Sequence, residues 1–260
     1  MKNIFVEGIQ GAGKSTLTNA LALRHPEYKV CREGDYNPVE LAWCTYMTEQ
    51  EYQAVLDRYP TLMEEIKANT TVENGYYIIT YTRILTDVPG FHKDLERFEI
   101  YNGRRTFEEL KDIVLRRYAN FDGESYLFEC AFLQNLVEDL ILFHELSDDE
   151  IVDFYRELYE KVDKDRFTLF YLYSEDIAEN IRVIQKERSD AQGNPMWYPL
   201  MLGYLTSSPY GEKHDYKDFD DMIAHFNHRQ QVEMRIIREV IGENAQMLTA
   251  KNVDVETLQL

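Results

Sequence analysis

Lys14 and Ser15 close an eight-residue run, Gly8-Ile-Gln-Gly-Ala-Gly-Lys-Ser15, that fits the pattern G-x-x-x-x-G-K-[ST] in full. Each fixed position has a chemical task. Glycines allow several backbone N–H groups to turn toward one anion, and a helix starting at the end of the run adds its partial positive charge. The Lys14 ammonium can reach the β- and γ-phosphate oxygens of a nucleotide, and the Ser15 hydroxyl can ligate Mg²⁺. The four fixed positions would coincide by chance in about one chain in 100 of this length. A tight turn that merely favours glycine leaves Lys14-Ser15 unexplained. The predicted phosphate cradle is Gly8, Gln10, Gly11, Ala12, Gly13, Lys14, Ser15 and Thr16, with ATP and Mg²⁺ as its expected ligands.

Holding such a cradle requires a strand before it and a helix after it. Residues 3–7 (NIFVE) are short, β-branched and aromatic, as a strand should be. A helix is expected from Lys14, carrying Leu17, Leu21 and Leu23 and stopping at His25-Pro26, where proline excludes the helical conformation of its predecessor. Further strands are expected at 28–32 (YKVCR), 125–129 (SYLFE), 166–173 (RFTLFYLY) and 245–249 (AQMLT). Helix starts are marked by capping boxes at Thr48/Glu51, Thr106/Glu109 and Ser147/Glu150, and Ser174 is the expected N-cap after the fourth strand. Residues 48–120 read as mainly helical, with 75–84 (GYYIITYTRI) open to either strand or buried helix. Residues 189–215 read as a long irregular segment, either a functional cover or a disordered stretch. Strands alternating with helices predict an α/β fold with a mainly parallel five-stranded sheet. A single domain over residues 1–260 is expected, with a mainly helical insertion at 44–120 and a lid-like segment at 182–217.

Over residues 1–43 the chain resembles the thymidylate kinase and deoxynucleoside kinase branch of the P-loop kinases. FVEGIQGAGKST (5–16) is similar to the opening of thymidylate kinases, a Glu-Gly pair before a near-identical loop. VCREGDYNPVELAW (30–43) is similar to a segment both families carry after the second strand. Arg32-Glu33, Pro38-Val39 and Trp43 match it, with Gly-Asp-Tyr-Asn inserted. The resemblance implies a three-layer P-loop NTPase fold and places Glu33 beside an acceptor hydroxyl. A carboxylate there can take the proton that the hydroxyl loses as it attacks the γ-phosphorus. Trp43 is either core or a stacking surface for the acceptor.

The likeness continues in patches. At 125–135 Glu129 matches an acidic residue and Gln134 a downstream glutamine, but Cys130 stands where the related kinases carry arginine. A carboxylate closing an apolar strand either serves Mg²⁺ or pairs with a cation. At 166–188 Arg182, Lys186 and Arg188 stand at the offsets of basic lid residues, which would stabilise charge on the transferred phosphoryl group. The bland alternative is a solvated helix face, since Glu179 and Glu187 share that helix. Arg83, with Tyr76, Tyr77 and Tyr81, lines an acceptor pocket or belongs to a core; Arg104 and Arg105 dock an anion or form surface ion pairs. The expected activity is ATP- and Mg²⁺-dependent phosphoryl transfer to a small acceptor, a nucleoside or nucleotide. Two other readings stay open: a kinase of another hydroxyl metabolite or antibiotic, and a nucleotide-binding regulatory NTPase.

Composition bounds the partners. The formal charge is −19, from 47 acidic and 28 basic residues, a field that repels polymeric nucleic acid and anionic membranes. The first 35 residues depart from this trend, with five basic residues against four acidic ones, as a pocket for a small anion would. Cys31, Cys44 and Cys130 form no C-x-x-C pair and read as free thiols of a reducing cytoplasm. Neither a signal peptide nor a membrane span is expected, which assigns the chain to the cytoplasm. A homodimer is compatible with everything above.

Overall fold

The first strand, β1 (Asn3–Gly8), has no exposed residue. A strand buried on both faces belongs inside a parallel sheet with cover on either side, and that is where the computed structural model has it. The structure describes residues 1–251, 253, 255 and 258. Two compact units are present, one of Met1–Val30 with Asp122–Leu260 and one of Cys31–Phe121. The chain opens with β1, α1 (Lys14–Arg24) and β2 (Lys29–Cys31). It continues through α2 (Glu49–Arg58), α3 (Met63–Ala68), β3 (Thr70–Glu73), β4 (Tyr76–Ile79), α4 (Phe91–Glu96) and α5 (Phe107–Asn120). It then returns to the first unit with β5 (Tyr126–Glu129), α6 (Gln134–Leu142), α7 (Asp148–Tyr159), β6 (Phe167–Tyr173) and α8 (Ile177–Glu187). The last elements are α9 (Trp197–Thr206), α10 (Pro209–Lys213), α11 (Phe219–Ile236) and β7 (Ala245–Thr249).

The expected five-stranded parallel sheet is present, in the order β2-β5-β1-β6-β7. Val6 lies opposite both Glu129 of β5 and Phe170 of β6, so the carboxyl ends of three neighbouring strands share one edge. Phe5 stacks between Phe128 and Phe167, each ring 4.7 Å away, and meets the Phe132 edge at 5.8 Å. This aromatic layer fixes the height of β1 against its neighbours. Helix α11 buries Met222, His225, Phe226, Arg229, Val232, Glu233 and Ile236, a helical stripe that packs against α6, α7 and α8. It ends in a wide π-helical turn, Ile237–Ile241.

The second unit has its own apolar core, built from Met47, Val55, Leu56, Tyr59, Leu62, Ile66, Ile79, Tyr81, Ile84, Phe91 and Leu95. The ambiguous stretch at 75–84 resolves into strand β4 followed by a 3₁₀ turn, Tyr81–Arg83. Strands β3 and β4 form a hairpin closed by Asn74 and Gly75, both with positive φ (50° and 83°). Asn-Gly tolerates that conformation at both central positions, which matches the twist of the flanking strands.

All three expected capping boxes are formed, on α2, α5 and α7. Two other expectations are corrected. Ser174 does not cap α8; Asp176 does, accepting from the Glu179 N–H at 2.9 Å. The helix starts two residues later because Gln230 of α11 takes both the N–H and the carbonyl of Ser174, each at 3.0 Å. Residues 189–215 are not irregular throughout, since they hold α9 and α10. Helix α9 is apolar around most of its circumference, so no period of 3.6 residues marks it. Among the described residues no helix is long and apolar enough to cross a membrane.

Three buried carboxyls give the fold a pH dependence. Burial pushes Glu7 and Glu99 up to about 7 and Glu40 up to about 8, against an ordinary value of 4.5. Because the folded state binds these protons more tightly, their contribution is whole below pH 4.5 and is lost as pH rises toward 7–8. Urea unfolding should therefore show lower stability at pH 8 than at pH 5, with each group adding a slope on the order of 1.4 kcal/mol per pH unit in its window. Glu40→Gln should flatten the upper end of that curve.

Candidate active site

The glycine-rich run forms the turn between β1 and α1, with Gly8, Gly11 and Gly13 all at positive φ. Gly13 is the N-cap of α1, no side chain bonds the helix start, and no acidic residue lies in its first turn. The partial positive charge of that helix end is left for another anion. Lys14 is buried, and its Nζ donates to the carbonyls of Gly8 (2.9 Å) and Ile9 (2.8 Å), which hold the ammonium over the loop. The Ser15 hydroxyl donates to Glu129 at the end of β5. Thr16 is exposed, and Ala12 is buried with its N–H bonded to the Ile9 carbonyl at 3.3 Å.

Beneath this turn the charges are out of water. Glu7 accepts from the N–H groups of Phe132 (2.6 Å) and Gln134 (3.1 Å), so one carboxylate fixes the start of α6 relative to β1. Gln134 thus enters the structure first as a backbone donor to Glu7; its own amide reaches the Asn135 side chain at 3.4 Å. Arg229 of α11 is fully buried and donates to Glu138 at 2.9 Å and to the Gln10 side-chain oxygen at 2.7 Å. Its Nε forms an ion pair with Glu233 at 3.1 Å, and the other oxygen of Glu233 accepts from the Tyr171 hydroxyl at 2.5 Å. His225 meets Glu138 at 2.9 Å. The cations around Glu138, Arg229 above all, overcome its burial and hold it ionised, down to about 2.

Helix α8, which carries Arg182 and Lys186 beside Glu179 and Glu187, packs on the glycine turn. A Cβ on Gly11 would come within 2.8 Å of the Ile184 side chain and 3.1 Å of the Asn180 carbonyl. Arg182, Lys186 and Arg188 are exposed; Arg182 lies 3.9 Å from Glu179 and over the Phe219 ring at 5.4 Å. Cys130 is buried at φ 59°, with its N–H on the Val6 carbonyl at 3.1 Å.

The remaining predicted residues belong to the second unit. Glu33 is exposed on the turn after β2 and accepts from the Trp43 indole N–H at 3.1 Å. Trp43 is not core: it is 47% exposed and has φ 61°, a conformation that is rare for a bulky side chain. Arg83 pairs with Asp35. Tyr76 and Tyr77 stack on Tyr46 and Tyr52, and Tyr81 is buried with its hydroxyl on Glu99 at 2.5 Å. Arg104 pairs with Glu96 at 2.9 Å, and Arg105 donates to the Tyr46 carbonyl at 2.8 Å.

No protein-family model matches this chain, and no curated protein matches it. The reading of the site therefore rests on its own chemistry. Among the described residues no group of three or more His, Cys, Asp and Glu side chains forms a metal cage. Mg²⁺ suits a sparser donor set, since it keeps several waters and takes one or two protein oxygens together with substrate phosphates. Ser15 and Glu129 are such a pair.

Sequence reasoning left Arg229 without a role and overlooked Glu138, Glu233 and His225. A signal existed. His225, Arg229 and Glu233 recur every fourth residue on the stripe that also carries Met222, Phe226 and Ile236, and charges repeated on an apolar face must be paired inside the fold.

Gly11→Ala should lower stability by about 1–3 kcal/mol, from the positive φ and the contact with α8. Thermal unfolding measures the loss, and Ile184→Ala added to it should recover part of the steric share.

Proposed function

We propose that the protein is an ATP- and Mg²⁺-dependent phosphotransferase of the P-loop kinase type, with a nucleoside or nucleotide as acceptor. The observation that carries this reading is the hydrogen bond between Ser15 and Glu129. It joins a hydroxyl in the G-K-S run to a carboxylate on the neighbouring parallel strand, at the sheet edge where α/β folds collect their ligands. The buried Lys14 ammonium and the uncapped start of α1 supply positive charge at the same turn.

In this reading the backbone amides of residues 8–16 and Lys14 bind the ATP phosphates. Ser15 and Glu129 would hold Mg²⁺, which would supply positive charge to offset that of the phosphates. Glu33 accepts the proton of the acceptor hydroxyl as the new P–O bond forms and ADP leaves. Arg182, Lys186 and Arg188 close on the phosphates and offset the charge of the transferred group. The nucleoside or nucleotide acceptor comes from the resemblance over residues 1–43. Cys130 in place of arginine favours the second reading, a kinase of a different small hydroxyl compound, because a thiol buried in that turn offers no cation to an acceptor phosphate.

A panel of nucleosides, nucleoside monophosphates and small alcohols, assayed for acceptor-stimulated ADP release, tests the proposal. Lys14→Ala and Glu33→Gln should each lower the stimulated rate by about 10²–10³-fold, with circular dichroism unchanged. ADP release that no acceptor stimulates would leave a nucleotide-binding NTPase in its place.

A further inference from the structure

Arg229 needs an explanation that stability does not supply. A guanidinium buried with carboxylates is costly to desolvate, and well-packed apolar residues in its place are often neutral or stabilising. What apolar residues cannot supply is a fan of hydrogen-bond donors in fixed directions. Two edges of this guanidinium donate to separate partners, Nη1 to Glu138 at 2.9 Å and Nη2 to Gln10 at 2.7 Å, while Nε lies 3.1 Å from the Glu233 carboxylate as an ion pair without hydrogen-bond geometry. Two of these partners are anchored in turn, Glu138 by His225 at 2.9 Å and Glu233 by Tyr171 of β6 at 2.5 Å. The third lies in the glycine-rich turn, one residue before Gly11, which α8 presses from Ile184 and Asn180.

We infer that Arg229 is a positioning residue for the glycine-rich turn: fixed between Glu138 and Glu233, it grips Gln10 and so holds the turn's backbone in the shape that receives nucleotide phosphates. The inference rests on the nucleotide-binding reading above and adds to it a residue more than 200 positions away in sequence. Amides already aimed at an anion cost nothing to reorganise when it binds, so the grip acts on affinity. Lysine keeps the charge at 229 but cannot span Glu138, Glu233 and Gln10 together.

The test is a double-mutant cycle read by calorimetric titration of the full chain with magnesium–ATP, with thermal unfolding measured separately for each protein. Gln10→Met keeps the bulk of the side chain and removes the oxygen that Arg229 binds. Gln10→Met and Arg229→Lys should each weaken binding about tenfold, and the double variant should bind no more weakly than the weaker single. Losses that multiply in the double variant, or wild-type affinity in Gln10→Met, would overturn the positioning role. Gln10→Met leaves every buried ion pair in place, so it decides the matter even where Arg229→Lys does not fold. A wild-type protein without affinity for magnesium–ATP, matched by Lys14→Ala, overturns the nucleotide-binding reading and this inference together. Wild-type binding that is lost in Lys14→Ala but indifferent to Gln10→Met removes this inference alone.

Discussion

Charge removed from water must be answered by charge or by hydrogen bonds, and under the first β-to-α turn that requirement organises the surroundings. Glu7, Glu138, Glu233 and Arg229 are all buried there. Each obliges a particular element to stand in a particular place. Glu7 calls for the N–H groups of Phe132 and Gln134, which sets the entry of α6. Arg229 calls for acceptors from α6 and from the turn, and for a counter-charge from its own helix. The sheet supplies a flat, apolar base through its stacked phenylalanines, but the mutual orientation of β1, α6 and α11 follows from these polar demands.

The second unit meets the same constraint with a buried arginine of its own, Arg117, which donates to Glu73 at 2.6 Å, and with tyrosines. Nineteen tyrosines in the chain offer large apolar faces with a hydroxyl at the tip. The faces pair in Tyr46–Tyr76 and Tyr52–Tyr77, and the hydroxyl of Tyr81 satisfies the buried Glu99. Neutral donors compensate a buried acid less fully than a guanidinium does. Burial prevails at Glu99 and Glu40, and at Glu233 in spite of Arg229, whereas Arg229 and His225 together hold Glu138 down.

How much of this the sequence disclosed depends on whether the signal was local. The glycine-rich turn, the strands NIFVE and RFTLFYLY and the three capping boxes are legible because the relevant interactions lie within a few residues of one another. Asn74-Gly75 is an equally local hairpin signal, masked by the aromatic run after it, which suits strand and buried helix alike. Ser208-Pro209 announces α10 in the same way, through an N-cap and a proline in the first helical position. The contacts of Arg229 are different in kind. Gln10 and Glu138 lie 219 and 91 residues from it, and nothing short of the assembled fold states which buried charges meet. Among the predicted site residues, Ser15 and Glu129 meet in a hydrogen bond because one opens a helix and the other closes a strand at one sheet edge.

The wide turn at Ile237–Ile241 bears on how this chain tolerates changes of length. A π-helical turn carries one residue more than the α-helical ladder needs, so the helix advances by an extra step before the chain leaves for β7. Deleting one residue there would give back an ordinary turn and leave the upstream register untouched. The same deletion between Phe219 and Arg229 would rotate one part of the helix by about 100° relative to the other, pulling Met222 or the guanidinium off the buried stripe. Natural length variation among relatives of this chain should therefore gather at the end of its longest helix and spare the stretch before it.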